Sequence, residues 1–139
     1  MVQFMAGLKG EGKTRKMIEM VNQEVKTTDG ILVYIDDDKR HTRDVHRDIR
    51  FVEAGKGELA SYREFVGFVL GILSQNSDIK HIYVDGLTNI LQKDAIDNDS
   101  LMRMKARLEA ISNADHVDFT ISIHCDKESL PEEIKVITI

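Results

Sequence analysis

The spacing Gly7-x-x-x-x-Gly12-Lys13-Thr14, at the start of the chain, has the residue types needed to hold a polyphosphate. Gly7, Gly10 and Gly12 can take backbone angles closed to other residues, which lets consecutive amide N–H groups turn inward around an anion. Lys13 can reach the outer phosphates, the Thr14 hydroxyl can ligate Mg2+, and a helix beginning here points its positive end at the charge. Gly7, Leu8, Lys9, Gly10, Glu11, Gly12, Lys13, Thr14 and Arg15 are therefore candidate contacts for the phosphates of a nucleotide. A chance Gly-Lys-Thr turn is the bland alternative, and the order of strand, loop and helix argues against it. Glu11 is out of place, because a carboxylate beside a polyphosphate is repulsive unless it meets solvent or a cation such as Lys9. It is expected to point outward. A second signal is the apolar stretch His81-Ile82-Tyr83-Val84-Asp85. An acid that ends a buried strand can hold magnesium through a water opposite Thr14, which makes Thr14 and Asp85 the candidate metal pair.

These residues need a scaffold, and the chain alternates the elements that would supply one. Strand-like runs fall at residues 2–6, 31–35, 50–53, 81–85, 119–124 and 134–139, most of them continuous in β-branched or aromatic residues. Continuous runs imply burial on both faces, as in a parallel sheet. Helices are expected over 13–26, over 61–74 with Ser61 and Glu64 as a capping box, and over 100–112 with Leu101, Met104, Leu108 and Ile111 on one face. Gly67 and Gly71, four apart on the second helix, suggest close packing on the sheet. The expected fold is a three-layer α/β sandwich built as a single domain over residues 1–139. Two segments, the charged 36–50 and the polar 89–99, follow strands whose ends lie at the carboxyl edge, where open α/β sheets bind ligands.

Composition narrows the functional classes. Charged residues at 31% and hydrophobic ones at 42% suit a soluble globular chain. The net charge of −5 argues against a protein whose main task is to hold a nucleic-acid backbone. One cysteine, Cys125, excludes an intrachain disulfide and a cysteine zinc site, and a reducing cytoplasm is the simplest compartment. No apolar run is long enough to cross a bilayer, and the opening residues do not read as a signal peptide. Cys125 is expected to be a packed thiol.

With its loop, Val84-Asp85-Gly86-Leu87-Thr88 resembles the strand end of the RecA-like P-loop NTPases, a group that holds recombinases and replicative helicases. Ile31-Leu32-Val33-Tyr34-Ile35-Asp36-Asp37-Asp38 resembles that family's second strand, and Thr120-Ile121-Ser122-Ile123-His124 its fourth. The opening and length are also similar to those of small uncharacterised bacterial ATP-binding proteins. The resemblance implies a mainly parallel sheet of order 5-1-4-3-2, ATP with Mg2+ as cofactors, an acid after the second strand that activates the attacking water, and a polar residue, here His124, that senses the γ-phosphate. It also implies a homo-oligomer or protein partner at the site.

Gly86 departs from this pattern, since many ATPases place a catalytic Glu directly after the magnesium acid. Asp36, Asp37 and Asp38 are the candidates to replace it, with Asp37 and Asp38 preferred as catalytic residues beside Lys13 because Asp36 can still belong to the strand. A solvated, helix-starting acidic cluster is the alternative. His124 reads equally as a hydrogen-bonded histidine at a strand end. Arg40, Arg43 and Arg47 can be an arginine finger or plain surface charge, and His41 and His46 fit no trusted metal spacing. The leading expectation is slow Mg·ATP hydrolysis coupled to an unknown partner. A nucleotide-binding switch with little turnover and a small thymidine-kinase-like nucleoside kinase are the rivals. A GTPase is disfavoured because Cys125-Asp126-Lys127-Glu128 is not the guanine-reading Asn-Lys-x-Asp.

Overall fold

Apolar runs spaced along the chain become the strands of one sheet in the computed structural model, which describes residues 1–55, 57–134 and 136–137. The strands are β1 (Val2–Gly7), β2 (Ile31–Asp36), β3 (Arg50–Glu53), β4 (Ile79–Val84), β5 (Asp118–His124) and β6 (Val136–Ile137). All pairings are parallel, and the spatial order is β3-β2-β4-β5-β1-β6. This differs from the expected 5-1-4-3-2. The short run at 50–53, left out of the five-strand order, joins as an edge beyond β2, where Tyr34 pairs with Phe51 and their rings stack at 5.8 Å. The strand expected over 134–139 is described only at Val136–Ile137; residues 135, 138 and 139 lie outside the described residues.

Alternate residues of each strand enter two different cores, as a pleated backbone requires. Phe4, Val33, Ile35, Ile82, Val84 and Phe119 pack under α2 (Tyr62–Ser74) and α4 (Asn98–Asp115). Met5, Leu32, Tyr34 and Tyr83 point to the other face, against Met17 and Val21 of α1 (Lys13–Glu24). Helices thus cover both faces of a parallel sheet. A polar chain, buried at Thr120 and His81 and partly exposed at Glu24, crosses the second face: Thr120 Oγ1 meets His81 Nε2 at 2.7 Å, and His81 Nδ1 meets Glu24 Oε1 at 2.8 Å. Tyr83 donates to the same Glu24 oxygen. Burial works to raise the Glu24 pKa, but its bonds from His81 and Tyr83 outweigh that and hold it below the ordinary value.

Several helix ends moved from their expected positions for local reasons. Ser61 caps α2 by accepting from the Glu64 amide at 3.3 Å, while Glu64 reaches back to the Ala60 amide, one residue before the usual capping-box partner. Asp97 caps α4 by accepting from Ser100 at 2.9 Å, so that helix starts earlier than the apolar spacing alone suggested. The packing role expected for Gly67 and Gly71 is overturned. Both are exposed, and a Cβ at either would touch nothing within 4 Å, because Phe65, Val66 and Val69 turn the opposite side of α2 to the core.

The charged segment at 36–50 folds into turns pinned beneath α1. Asn22 donates to the Asp44 carbonyl at 2.9 Å and accepts from the His46 amide at 2.8 Å, which seats Val45 and Ile49 in the core. Within the polar connection at 89–99 lies the end of a one-turn helix, α3 (Leu87–Ile90). No helix among the described residues is long and apolar enough to cross a membrane.

Candidate functional site

Parallel strands end on one side, so the loops after β1, β2, β4 and β5 share the carboxyl edge of the sheet. The loop after β1 closes with a turn in which the Glu11 amide donates to the Leu8 carbonyl at 3.2 Å. Gly10 and Gly12 take left-handed angles, φ +86° and +88°, which favour glycine. Gly12 is also the N-cap of α1, and no side chain among the described residues caps that helix end.

Lys13 is turned onto the loop itself. Its Nζ donates to the Gly7 carbonyl at 2.5 Å and to that of Leu8 at 3.1 Å. Partial burial holds its pKa below the ordinary lysine value, opposed first by the Glu11 carboxylate and then by Asp85. Glu11, although exposed, does not simply point outward as expected: its carboxylate folds back and accepts from the Leu8 amide. Arg15 turns away from the loop, pairing with Glu19 one helical turn on, at 3.5 Å.

Asp85 lies just past the end of β4, buried, with both oxygens engaged. Oδ1 accepts from the Thr14 hydroxyl at 3.2 Å and from Ser122 at 3.2 Å, and Oδ2 accepts from Tyr34 at 2.7 Å. Ser122 in turn accepts from the Gly86 amide at 2.7 Å, and Gly86 has φ +76°. The expected metal pair is therefore in direct contact. Tyr34 and Ser122 were missed as site residues: a hydroxyl inside an otherwise apolar strand marks both positions in the sequence, but not the Asp85 carboxylate they meet. Burial, with the adjacent Asp85 carboxylate, pushes the Tyr34 pKa far above its ordinary value, so the phenol stays a donor.

A cavity of about 290 Å3 is lined by Lys9, Gly10, Lys13, Asp85, Ser122 and His124. His124 is exposed there; its backbone amide donates to Thr88 Oγ1 at 2.9 Å, and its side chain makes no hydrogen bond among the described residues. The strand-end hydrogen bond is thus one of the backbone. A second cavity of about 490 Å3 is lined by Gly7, Leu8, Glu11, Asp126 and Lys127 among others. Cys125 is half-buried, and burial raises its thiol pKa.

Asp36, Asp37 and Asp38 form a separate group at the end of β2, their nearest carboxylate oxygens within 4.8 Å of one another. They do not line either cavity beside the loop. Asp36 and Asp37 are both buried, and Asp38 is held by Arg40 at 3.0 Å. Asp36 Oδ1 accepts from the Asp37 amide at 2.7 Å, and its Oδ2 is buried with no hydrogen-bond partner among the described residues. Burial first, then the Asp37 side chain and the Asp85 charge, push the Asp36 pKa up to about 8, so its carboxyl is largely protonated at neutral pH. The solvated-cluster alternative therefore fails for Asp36 and Asp37. His41 pairs with Asp44 at 2.9 Å, and His46 accepts from the Asp48 amide at 3.1 Å. No family model matches the chain, and no curated protein matches it significantly.

Proposed function

We propose that the chain is a RecA-like P-loop NTPase domain that binds Mg·ATP at residues 7–14 and hydrolyses it slowly, in step with a partner or an assembly of its own copies. The observation that carries this reading is the 3.2 Å bond from Thr14 to Asp85, residues 71 positions apart. A chance Gly-Lys-Thr turn has no reason to meet the acid that ends another strand. A magnesium ion shared by a hydroxyl and a carboxylate requires that meeting.

The residues present suit both groups. Left-handed Gly10 and Gly12, the uncapped start of α1 and the adjacent Lys9 and Lys13 suit phosphate; Thr14 and Asp85 would hold magnesium, which would neutralise phosphate charge. Lys13 would leave the Gly7 and Leu8 carbonyls to reach the β and γ phosphates, and His124 stands at the same cavity as a sensor. The adjacency of β2 and β4, the strands that end in Asp36 and lead into Asp85, supports the RecA-like assignment, with β3 as an added edge. Asp37 and Asp38 are the acids assigned to orient the attacking water and take its proton, a role that requires the end of β2 to approach the phosphate cavity, which they do not line here. A reducing cytoplasm is the simplest compartment for a chain with one cysteine.

A nucleotide switch with little turnover is the second reading. It is favoured by Gly86 following Asp85 and by the engagement of Asp38 with Arg40. One experiment separates the two. In the Asp37→Asn, Asp38→Asn double variant, Mg·ATP binding should persist while hydrolysis drops ~10²-fold, the usual scale for losing general-base help. Lost binding would instead assign these acids to the fold or to magnesium, and unchanged hydrolysis would remove them from the mechanism. A parent protein that binds Mg·ATP without measurable turnover would establish the switch.

A further inference from the structure

Glu11 lies between the two left-handed glycines of the loop, Gly10 and Gly12, and its carboxylate accepts the Leu8 N–H. The same residue's backbone amide donates to the Leu8 carbonyl at 3.2 Å, so Leu8 and Glu11 are joined by both backbone and side chain. An amide at the start of the loop is thus already bonded to an anion of the protein's own. Lys13 is correspondingly withdrawn onto the Gly7 and Leu8 carbonyls, and Glu11 is the charge that contributes most to keeping it protonated. Asp126 adds a second carboxylate to the cavity that Glu11 lines.

From this geometry we propose that Glu11 sets the anion selectivity of the loop: its carboxylate takes the place of a phosphate oxygen at the Leu8 amide and must be displaced by the ligand. The inference rests on the reading of residues 7–14 as a phosphate site. Displacement costs the internal bond for every anion, but the repulsion afterwards depends on the ligand's charge. Metal-free ATP brings about four negative charges and its magnesium complex about two, so a fixed carboxylate nearby penalises the free nucleotide more. Glu11 therefore selects the magnesium-complexed triphosphate over metal-free nucleotide.

The test is calorimetric titration of the parent, Glu11→Gln and Glu11→Ala with Mg·ATP, with ATP in excess chelator, and with inorganic phosphate. Thermal melts of all three proteins establish that they are folded, which the exposure of Glu11 leads one to expect. Both variants should bind metal-free ATP ~10-fold or more tighter than the parent, the scale of one hydrogen bond to a charged group, and should gain less for Mg·ATP and for inorganic phosphate, which carry about half its charge. The preference for the magnesium complex should narrow accordingly. A parent that binds Mg·ATP, with the same preference in both variants, would overturn the role of Glu11 and leave the phosphate site intact. No binding of any of the three ligands by any of the three proteins would remove the phosphate site and this inference with it.

Discussion

The phenol of Tyr34 donates to Oδ2 of Asp85 at 2.7 Å inside the sheet, so a neighbouring strand fixes one oxygen of that carboxylate while the other faces Thr14. Tyr34 sits directly opposite both Phe51 and Tyr83, its ring stacked on Phe51 at 5.8 Å and on Tyr83 at 6.5 Å. The orientation of Asp85 is thereby tied to the register of three strands.

Tyr34→Phe keeps the stacked ring and deletes the donor. The loss should cost ~1–2 kcal/mol of stability, because a buried carboxylate oxygen loses its partner. Magnesium-dependent ATP binding should weaken about tenfold, with metal-free binding little changed, since the variant disturbs only the acid assigned to the metal. Titration with and without Mg2+ checks this, and an unaltered magnesium dependence would contradict it.

Asp36 predicts a pH dependence of stability. Its pKa is about 8 in the fold against an ordinary 3.8, so between these values the folded chain retains a proton that the unfolded chain has released. The stabilisation is complete below about pH 4, falls as pH rises, and is lost once pH passes about 8. Asp36→Asn should flatten this slope and raise the melting temperature at pH 8 by about 3 °C or more, corresponding to ~1 kcal/mol. Melts from pH 5 to 9 decide it: parallel parent and variant curves would show that Asp36 is not the titrating group.

Gly67→Ala and Gly71→Ala should each stabilise the protein by about 0.5–1 kcal/mol, since both positions are in mid-helix, exposed and open. Chemical denaturation of the single variants measures the gain. Destabilisation by either would mean that this face of α2 is covered in solution.

Much of the scaffold was legible because buried parallel strands require unbroken β-branched and aromatic runs, and the run at Arg50–Glu53 became a strand with its expected bounds. Its place in the sheet was not legible, because a short edge strand is positioned by its partner, here through Tyr34 and Phe51. Gly67 and Gly71 were misread from their mutual spacing, although the apolar positions Phe65, Val66 and Val69 already put the opposite face in the core. At the site, Thr14 and Asp85 were readable as a pair because each belongs to a local pattern. Tyr34, Ser122 and the inward turn of Glu11 were not, because a hydroxyl within a strand or a carboxylate within a loop finds its partner only once the chain is folded.

The central claim is that residues 7–14 hold the phosphates of a nucleotide, and Lys13 tests it most directly because it lies in the loop and outside both apolar cores. Titration of a fluorescent ATP analogue with Mg2+ into the parent and Lys13→Ala, both confirmed as folded by circular dichroism, is the decisive measurement. Saturable binding by the parent and its loss in the variant is the predicted result; equal binding by the two, or none by the parent, would contradict the account.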